Sequence, residues 1–76
     1  MEKIILPELG EGILKATVAC WHKQVGEEVC QDDDIVEVVT DKASFNIPAG
    51  KRGRVQEILV REGNVARVGE TLALIE

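Results

Sequence analysis

Short apolar runs alternate with turn-forming residues along the whole chain. Runs of this kind, rich in β-branched residues and bounded by Gly, Pro or Asp, are typical of strands. No segment keeps the i, i+3, i+4, i+7 apolar spacing over the roughly ten residues that a helix needs. The pattern therefore predicts an all-β fold, with strands at Ile4–Leu6, Ile13–Trp21, Ile35–Thr40, Ser44–Ile47, Val55–Val60 and Thr71–Ile75.

The second of these runs does not show by alternation which of its side chains face the core. Within Thr17–His22 two inward sets remain open, either Val18 with Cys20 or Ala19 with Trp21. The indole is the largest side chain available, and Phe is present only once and Tyr not at all. Large aromatic side chains bury much apolar area, so we expect Trp21 to lie inside.

The chain contains a weak internal repeat. Shifted by 36 positions, Val29–Val39 aligns with Val65–Ile75 in its apolar, acidic and turn positions, and Gly26 corresponds to Gly63 just upstream. Each half has a strand, a Gly turn, a short piece anchored by Val, an acidic turn and an apolar strand. Two such halves can pack as two sheets related by a pseudo-two-fold axis. The alternative is a chance likeness between ordinary strands and turns.

Length and charge narrow the class of protein. The 76 residues allow one domain, residues 1–76, and Val with Ile supply 17 of its apolar side chains. The net charge of −5 opposes binding to nucleic acid and to anionic membranes. An acidic chain of this kind is better suited to basic patches on protein partners. No apolar run is long enough to span a membrane or to form a signal peptide, so we expect an intracellular module.

The nucleophilic and metal-binding residues are few. Cys20 and Cys30 are ten positions apart, which is neither a zinc nor a redox spacing. One disulfide is conceivable, but two free, buried cysteines are the expectation. His22 is the only histidine, which excludes a histidine-based metal cluster and a Ser-His-Asp triad, and we expect it to be solvent-facing or hydrogen-bonded. An independent enzyme therefore has little support.

A hairpin is predicted at the junction of the two halves. Two alternating runs, ending at Thr40 and beginning at Ser44, are separated by a polar tripeptide. Asp is favoured at the first position of a type I turn. With Asp41 in that position, Lys42 stands at the apex and extends its ammonium clear of the body. The sequence shows no pocket that would activate this amine as a nucleophile.

At this hairpin the chain resembles the lipoyl domains of 2-oxo acid dehydrogenase complexes, which carry lipoic acid on the lysine of an Asp-Lys-Ala or Asp-Lys-Val hairpin. The resemblance covers roughly residues 3 to 76, most like the dihydrolipoamide acyltransferase component. The matching pieces, in order, are Ile5–Ile13, Trp21, Gly26-Glu27, Glu37–Ala43, Pro48–Gly50, Gly63–Val65 and Val68–Ala73.

The resemblance implies a flattened β-barrel of two four-stranded sheets, the barrel-sandwich hybrid. It implies that a lipoate-attaching enzyme links lipoic acid to Lys42, which is flanked by Asp41 and Ala43. The attached group would then act as a swinging arm between a thiamine-diphosphate-dependent 2-oxo acid decarboxylase, an acyltransferase core and a dihydrolipoyl dehydrogenase. The module would perform no catalysis itself. The expected recognition residues for partner enzymes lie in the loop after the first strand: Glu8, Leu9, Gly10, Glu11 and Gly12.

Related carriers provide the alternatives. A biotinyl carrier domain shares the fold, but Met flanks its lysine on both sides, whereas Met1 is the only Met here. A glycine-cleavage carrier is normally longer, and an unmodified barrel-sandwich adaptor remains an alternative. We expect the chain to be the N-terminal module of a longer acyltransferase, in bacterial cytoplasm or, after loss of a transit peptide, in the mitochondrial matrix. The sequence does not distinguish which 2-oxo acid its complex uses.

Overall fold

Eight β-strands make up the regular structure of the chain. A computed structural model describes all residues, 1–76, and contains no helix that could span a membrane. The strands are β1 (Glu2–Ile5), β2 (Lys15–Trp21), β3 (Glu28–Val29), β4 (Asp34–Val39), β5 (Ser44–Pro48), β6 (Gly53–Ile58), β7 (Val65–Arg67) and β8 (Thr71–Ile75). The all-β prediction is confirmed.

The six predicted strands are all present, and two short ones join them. β3 and β7 contain only two and three residues, too few for their sequence to show alternation. They correspond to the two short Val-anchored pieces of the internal repeat, around Val29 and Val65. The long run from Ile13 begins as a strand only at Lys15, because Ile13 still closes a turn with a hydrogen bond from its N–H to the carbonyl of Gly10.

The strands form two four-stranded antiparallel sheets. One has the order β1-β8-β6-β3 and the other β5-β4-β2-β7. Exchanging the first four strands with the last four converts one order into the other. The pseudo-two-fold relation predicted from the repeat is therefore the arrangement of the fold, and β4 and β8 occupy equivalent central positions.

The core lies between the two sheets and is entirely apolar. Eighteen residues are buried, and none of them is polar or charged. Most are Val, Ile, Leu or Ala, whose modest volumes fit the narrow space between two small sheets. Burial of these side chains supplies the main stabilisation, since each large aliphatic contributes roughly 1.5–3 kcal/mol on leaving water.

A β-bulge in β2 determines which side chains of this strand face the core. Val18 pairs with Val38, and Cys20 pairs with the next residue of β4, Glu37, so Ala19 is the extra residue. The alternation slips at this point, and Val18 and Trp21 both become buried while Ala19 and Cys20 are exposed. The structure thus takes one member from each of the two predicted sets, and the prediction that Trp21 lies inside is confirmed.

Two hydrogen bonds hold Trp21 in place. Its indole Nε1–H donates to the carbonyl of Val60 at 2.8 Å, which satisfies the one polar atom of the buried ring. Its backbone N–H donates to Oε2 of Glu62 at 3.2 Å. Hydrogen bonds from the backbone N–H groups of Glu62 itself and of Trp21 lower the pKa of this carboxyl. The ionised Glu62 carboxylate therefore stabilises the fold at pH values above the pKa that Glu62 has in the unfolded chain. This contribution is lost as the pH falls through the lower pKa that Glu62 has in the folded domain.

The exposure of the two cysteines differs from the prediction, whereas that of the histidine agrees with it. Cys20 and Cys30 are free, as predicted, but both are exposed, so the expectation that they are buried is wrong. The reason for Cys20 is the bulge, which turns it to the outer face. His22 is exposed, and its Nε2 lies 3.0 Å from Oδ1 of Asn46.

Replacing Trp21 by Ala tests the role of the indole in the core. We expect the free energy of unfolding to fall by about 3–5 kcal/mol, because the substitution leaves a large cavity and an unpaired carbonyl at Val60. Urea denaturation followed by circular dichroism measures the change. The control is Val25→Ala, since Val25 is 52% exposed and should change stability by no more than about 0.5 kcal/mol. Equal, small effects of the two substitutions would contradict an anchoring role for Trp21.

Candidate functional site

Lys42 lies at the apex of the hairpin that joins β4 to β5. Val39 and Ser44 are the last register pair of the two strands, and the N–H of Thr40 donates to the carbonyl of Ala43 at 2.8 Å. Only Asp41 and Lys42 lie between these two residues, and both are exposed. The sequence prediction of an exposed lysine at a hairpin apex is confirmed.

The hydroxyl of Thr40 fixes the shape of this turn. Its Oγ1 accepts hydrogen bonds from the backbone N–H groups of Lys42 at 3.2 Å and Ala43 at 3.1 Å. The same hydroxyl donates to the carbonyl of Ala43 at 3.0 Å. No non-glycine residue of the chain has a positive φ, which excludes the mirror-image turns of tight hairpins. The two N–H groups at the apex are thereby held without any glycine.

The expectation that Asp41 holds the first position of the turn is wrong by one residue. Thr40 has that place, and its hydroxyl makes the backbone contacts that a carboxylate at position 41 was expected to make. Asp41 is instead a central residue of the turn with an exposed side chain. A Ser or Thr hydroxyl bonding to backbone two and three residues ahead is a known turn signal, so the Thr-Asp-Lys order contained the information.

The ammonium of Lys42 is unengaged. The ion pairs of the structure join Lys51 to Glu2 and Arg54 to Glu28, and neither involves the hairpin. The hydrogen bond and the positive charge of Lys51 lower the pKa of the Glu2 carboxyl. Lys42 is thus an accessible amine on a fixed backbone, suited to receiving a covalent group.

A surface groove extends from the hairpin across the outer face of β2. Its volume is about 630 Å³, and on the side of the hairpin it is lined by Val39, Thr40, Asp41 and Lys42. The other side comes from the start of β2 and the segment before it, and Val65 of β7 completes the lining. Sequence analysis did not identify this groove, because its members come from three separate strands and only their register brings them together.

Of the loop predicted to take part in partner recognition, only the last residue lines the groove beside the hairpin. Gly12 lines the groove beside Lys42, whereas Glu8, Leu9, Gly10 and Glu11 do not. Glu8 and Glu11 are exposed, and Leu9 is partly buried against the core. A recognition role for these residues stays a prediction.

The chain is similar to lipoyl domains and to proteins that contain them. A family model for biotin and lipoyl domains, described as "Biotin-requiring enzyme", matches residues 2–75. The chain is 39% identical over 75 residues to the succinyltransferase component of the 2-oxoglutarate dehydrogenase complex of Staphylococcus saprophyticus, covering 99% of this chain and 18% of that protein. It is 43% identical over 67 residues to the acetyltransferase component of the pyruvate dehydrogenase complex of Bacillus subtilis, covering 88% and 15%.

One solved structure of a lipoyl domain matches this chain over nearly its entire length. The lipoyl domain of the 2-oxoglutarate dehydrogenase complex of Azotobacter vinelandii is 37% identical, with a TM-score of 0.79, and the match covers 100% of this chain and 96% of that one. The chain spans less than a fifth of the two acyltransferase components but nearly all of this single domain. It therefore belongs to the biotin and lipoyl domain family and is a lipoyl domain like those of 2-oxo acid dehydrogenase acyltransferase components.

Proposed function

We propose that Lys42 carries lipoic acid in amide linkage and that the domain presents this group to the enzymes of a 2-oxo acid dehydrogenase complex. The observation that carries the proposal is the exposed, unpaired amine of Lys42, held at the apex of a two-residue turn by the hydroxyl of Thr40. The succinyltransferase and acetyltransferase relatives described above, both named as components of such complexes, support the same role.

The residues around Lys42 fit the group. Amide formation requires the amine to lose its proton and reach an activated carboxyl carbon, and neither an ion pair nor a burying side chain holds Lys42 back. Ala43 is small, and Asp41 directs a polar side chain into solvent. Lipoic acid, when bound, supplies a dithiolane that takes up an acyl group and electrons.

The domain's own contribution is positional. A carrier tethered to a complex stays at a high effective concentration near each active site, so its load need not diffuse freely. This task requires a stable frame and one accessible amine, and the chain provides an apolar core with a projecting hairpin. The proposed partners are a lipoate-attaching enzyme, a thiamine-diphosphate-dependent decarboxylase, an acyltransferase core and a dihydrolipoyl dehydrogenase.

Lipoylation can be tested by mass. Incubation with lipoate, ATP and a bacterial lipoate–protein ligase should add one lipoyl group to the domain, and Lys42→Arg should abolish the addition, because arginine keeps the charge but offers no acylatable amine. Intact-mass spectrometry measures both. Absence of a gain in the wild-type domain, or a gain in the Lys42→Arg variant, would contradict the proposal. A parallel incubation with biotin and a biotin ligase should leave the mass unchanged.

Substituting Lys42 should not affect folding. We expect Lys42→Gln to change the free energy of unfolding by less than about 0.5 kcal/mol, since the side chain is exposed and makes no contact that holds the turn. Thermal denaturation measures this. A large loss of stability would show that Lys42 has a structural role and would weaken its assignment as an attachment point.

The Thr40 hydroxyl should affect the rate of attachment more than stability. Thr40→Val keeps the shape of the side chain but leaves two backbone N–H groups without their partner, so we expect lipoylation to slow roughly tenfold as the apex loosens. Thr40→Ser keeps the hydroxyl and should retain most of the rate. Amide hydrogen exchange at Lys42 and Ala43 should be faster in the Val variant alone. Equal rates of lipoylation in the two variants would contradict a positioning role for the hydroxyl.

A further inference from the structure

Two cations lie directly opposite each other on the outer face of the sheet that bears the hairpin. Lys15 of β2 and Arg67 of β7 are register partners. The next pair, Ala16 and Ala66, is buried in the core. Because side chains alternate between the faces of a strand, Lys15 and Arg67 both point outward, and both are exposed.

No carboxylate of the chain neutralises this pair. Neither cation takes part in an ion pair. Glu70 comes close, but its Oε1 accepts a hydrogen bond from the backbone N–H of Arg67 at 2.9 Å and not from the guanidinium. Like charges directly opposite each other across strands are destabilising, so the fold tolerates a local cost here.

The other register pair of two charged residues shows the contrast. Glu28 and Arg54 are opposite each other in β3 and β6, their charges have opposite signs, and Nη2 of Arg54 lies 3.7 Å from Oε1 of Glu28. That pair belongs to the other sheet and not to the sheet that bears the hairpin. Complementary charges thus face each other in the other sheet, and repelling charges face each other in the sheet that leads to Lys42.

Exposed apolar side chains border the cations. Leu14, just before β2, is 77% exposed, and Val65 of β7 is 52% exposed. From Val65 a row of outward-facing register partners crosses the sheet through Thr17 to Val39, the last residue of β4 before the hairpin turn. The exposed Leu14 side chain contributes little burial energy to the isolated domain. An apolar patch surrounded by charged residues is typical of a protein interface.

These features and the hairpin form one continuous surface. Lys15, Leu14 and Val65 line the same groove as Lys42 and Asp41, and Arg67 borders Leu14 and Lys15 on its outer side. Three cations and two carboxylates, Asp41 beside Lys42 and Glu70 beside the backbone of Arg67, therefore share this surface in a chain whose net charge is −5. The local sign is opposite to that of the whole domain.

An enzyme that attaches a group to Lys42 must contact the domain close to this residue. Enzymes that act on the far end of an attached arm react at a point one arm's length from the hairpin. The enzyme that forms the amide must instead bring an activated carboxyl to Nζ of Lys42 itself, within the reach of one lysine side chain. Its surface must then cover the residues beside the hairpin, and the groove residues are beside it.

We propose that Lys15, Arg67, Leu14 and Val65 form the docking surface for the lipoate-attaching enzyme, which meets them with carboxylates around an apolar contact. The proposal rests on lipoylation at Lys42. The cations guide and orient the partner, and the leucine supplies buried apolar area at the contact. The repulsion between Lys15 and Arg67 in the free domain is relieved when the partner's carboxylates lie between them.

Charge reversal tests the cationic part against a matched control. Lys15→Glu and Arg67→Glu should each raise the KM of the domain for a lipoate–protein ligase about tenfold, with kcat nearly unchanged. Arg52→Glu, at an exposed position between β5 and β6, makes the same change of net charge far from the hairpin and should leave KM unaltered. Lys15→Glu also pairs a carboxylate with Arg67, so its melting temperature should equal or exceed that of the wild type.

The apolar part is tested separately. Leu14→Asn should raise KM several-fold, whereas Val25→Asn, at an exposed apolar residue outside the groove, should not. Raising the ionic strength should raise the KM of the wild-type domain and have less effect on the Arg67→Glu variant.

The possible outcomes distinguish the proposed docking surface from the proposed lipoylation of Lys42. Normal lipoylation of all groove variants would overturn the docking surface and leave lipoylation of Lys42 intact. Loss of activity with a decarboxylase but not with the ligase would also overturn it, because the surface would then belong to another enzyme. No lipoylation of the wild-type domain would overturn both. If Arg52→Glu raised the KM as much as Arg67→Glu, the change in net charge alone would explain the effect. That result would contradict a defined docking surface.

Discussion

Mutual burial of the two sheets is the constraint on which the rest of the domain depends. Neither four-stranded sheet has enough neighbours to cover its own apolar face, and a chain of 76 residues has no helix to supply a third layer. Each sheet therefore covers the other, and the buried set contains no polar residue. Trp21 connects this core to the β6–β7 connection through its bond to the carbonyl of Val60, which places the largest side chain where it also fixes a loop.

The closed core makes the projecting hairpin stable. A two-stranded hairpin alone is marginal in water, but β4 is an inner strand, bonded to β5 on one side and β2 on the other. The turn can then dispense with glycine and with apolar side chains, since the strands beneath it are already held. Thr40 completes it with local hydrogen bonds. Stability and presentation of the lysine are thus supplied by different residues.

Most of the architecture could be predicted from the sequence because it depends on local patterns. Runs of β-branched residues predicted six strands, and the repeat predicted how two sheets relate. The bulge at Ala19 could not be predicted, since it arises from pairing with β4 and not from the residues of β2 themselves. The exposed position of Cys20 follows from that bulge and was missed with it.

The candidate site also has one part that local sequence patterns predicted and one part that they did not. The apex position of Lys42 follows from the hairpin pattern, whereas the surface beside it depends on register between β7, β2 and β4. The Thr40 contact was present in the order of residues but was assigned to the neighbouring aspartate. Local polar preferences therefore located the turn to within one residue.

The hydroxyl-bonded turn also has a consequence for motion. Because the hydroxyl of Thr40 holds the backbone at Lys42, a group attached there would be anchored at a defined point of the turn. The volume that its far end can reach would then depend on the rotatable bonds of the arm. The orientation of the domain would then determine which directions the arm can sample.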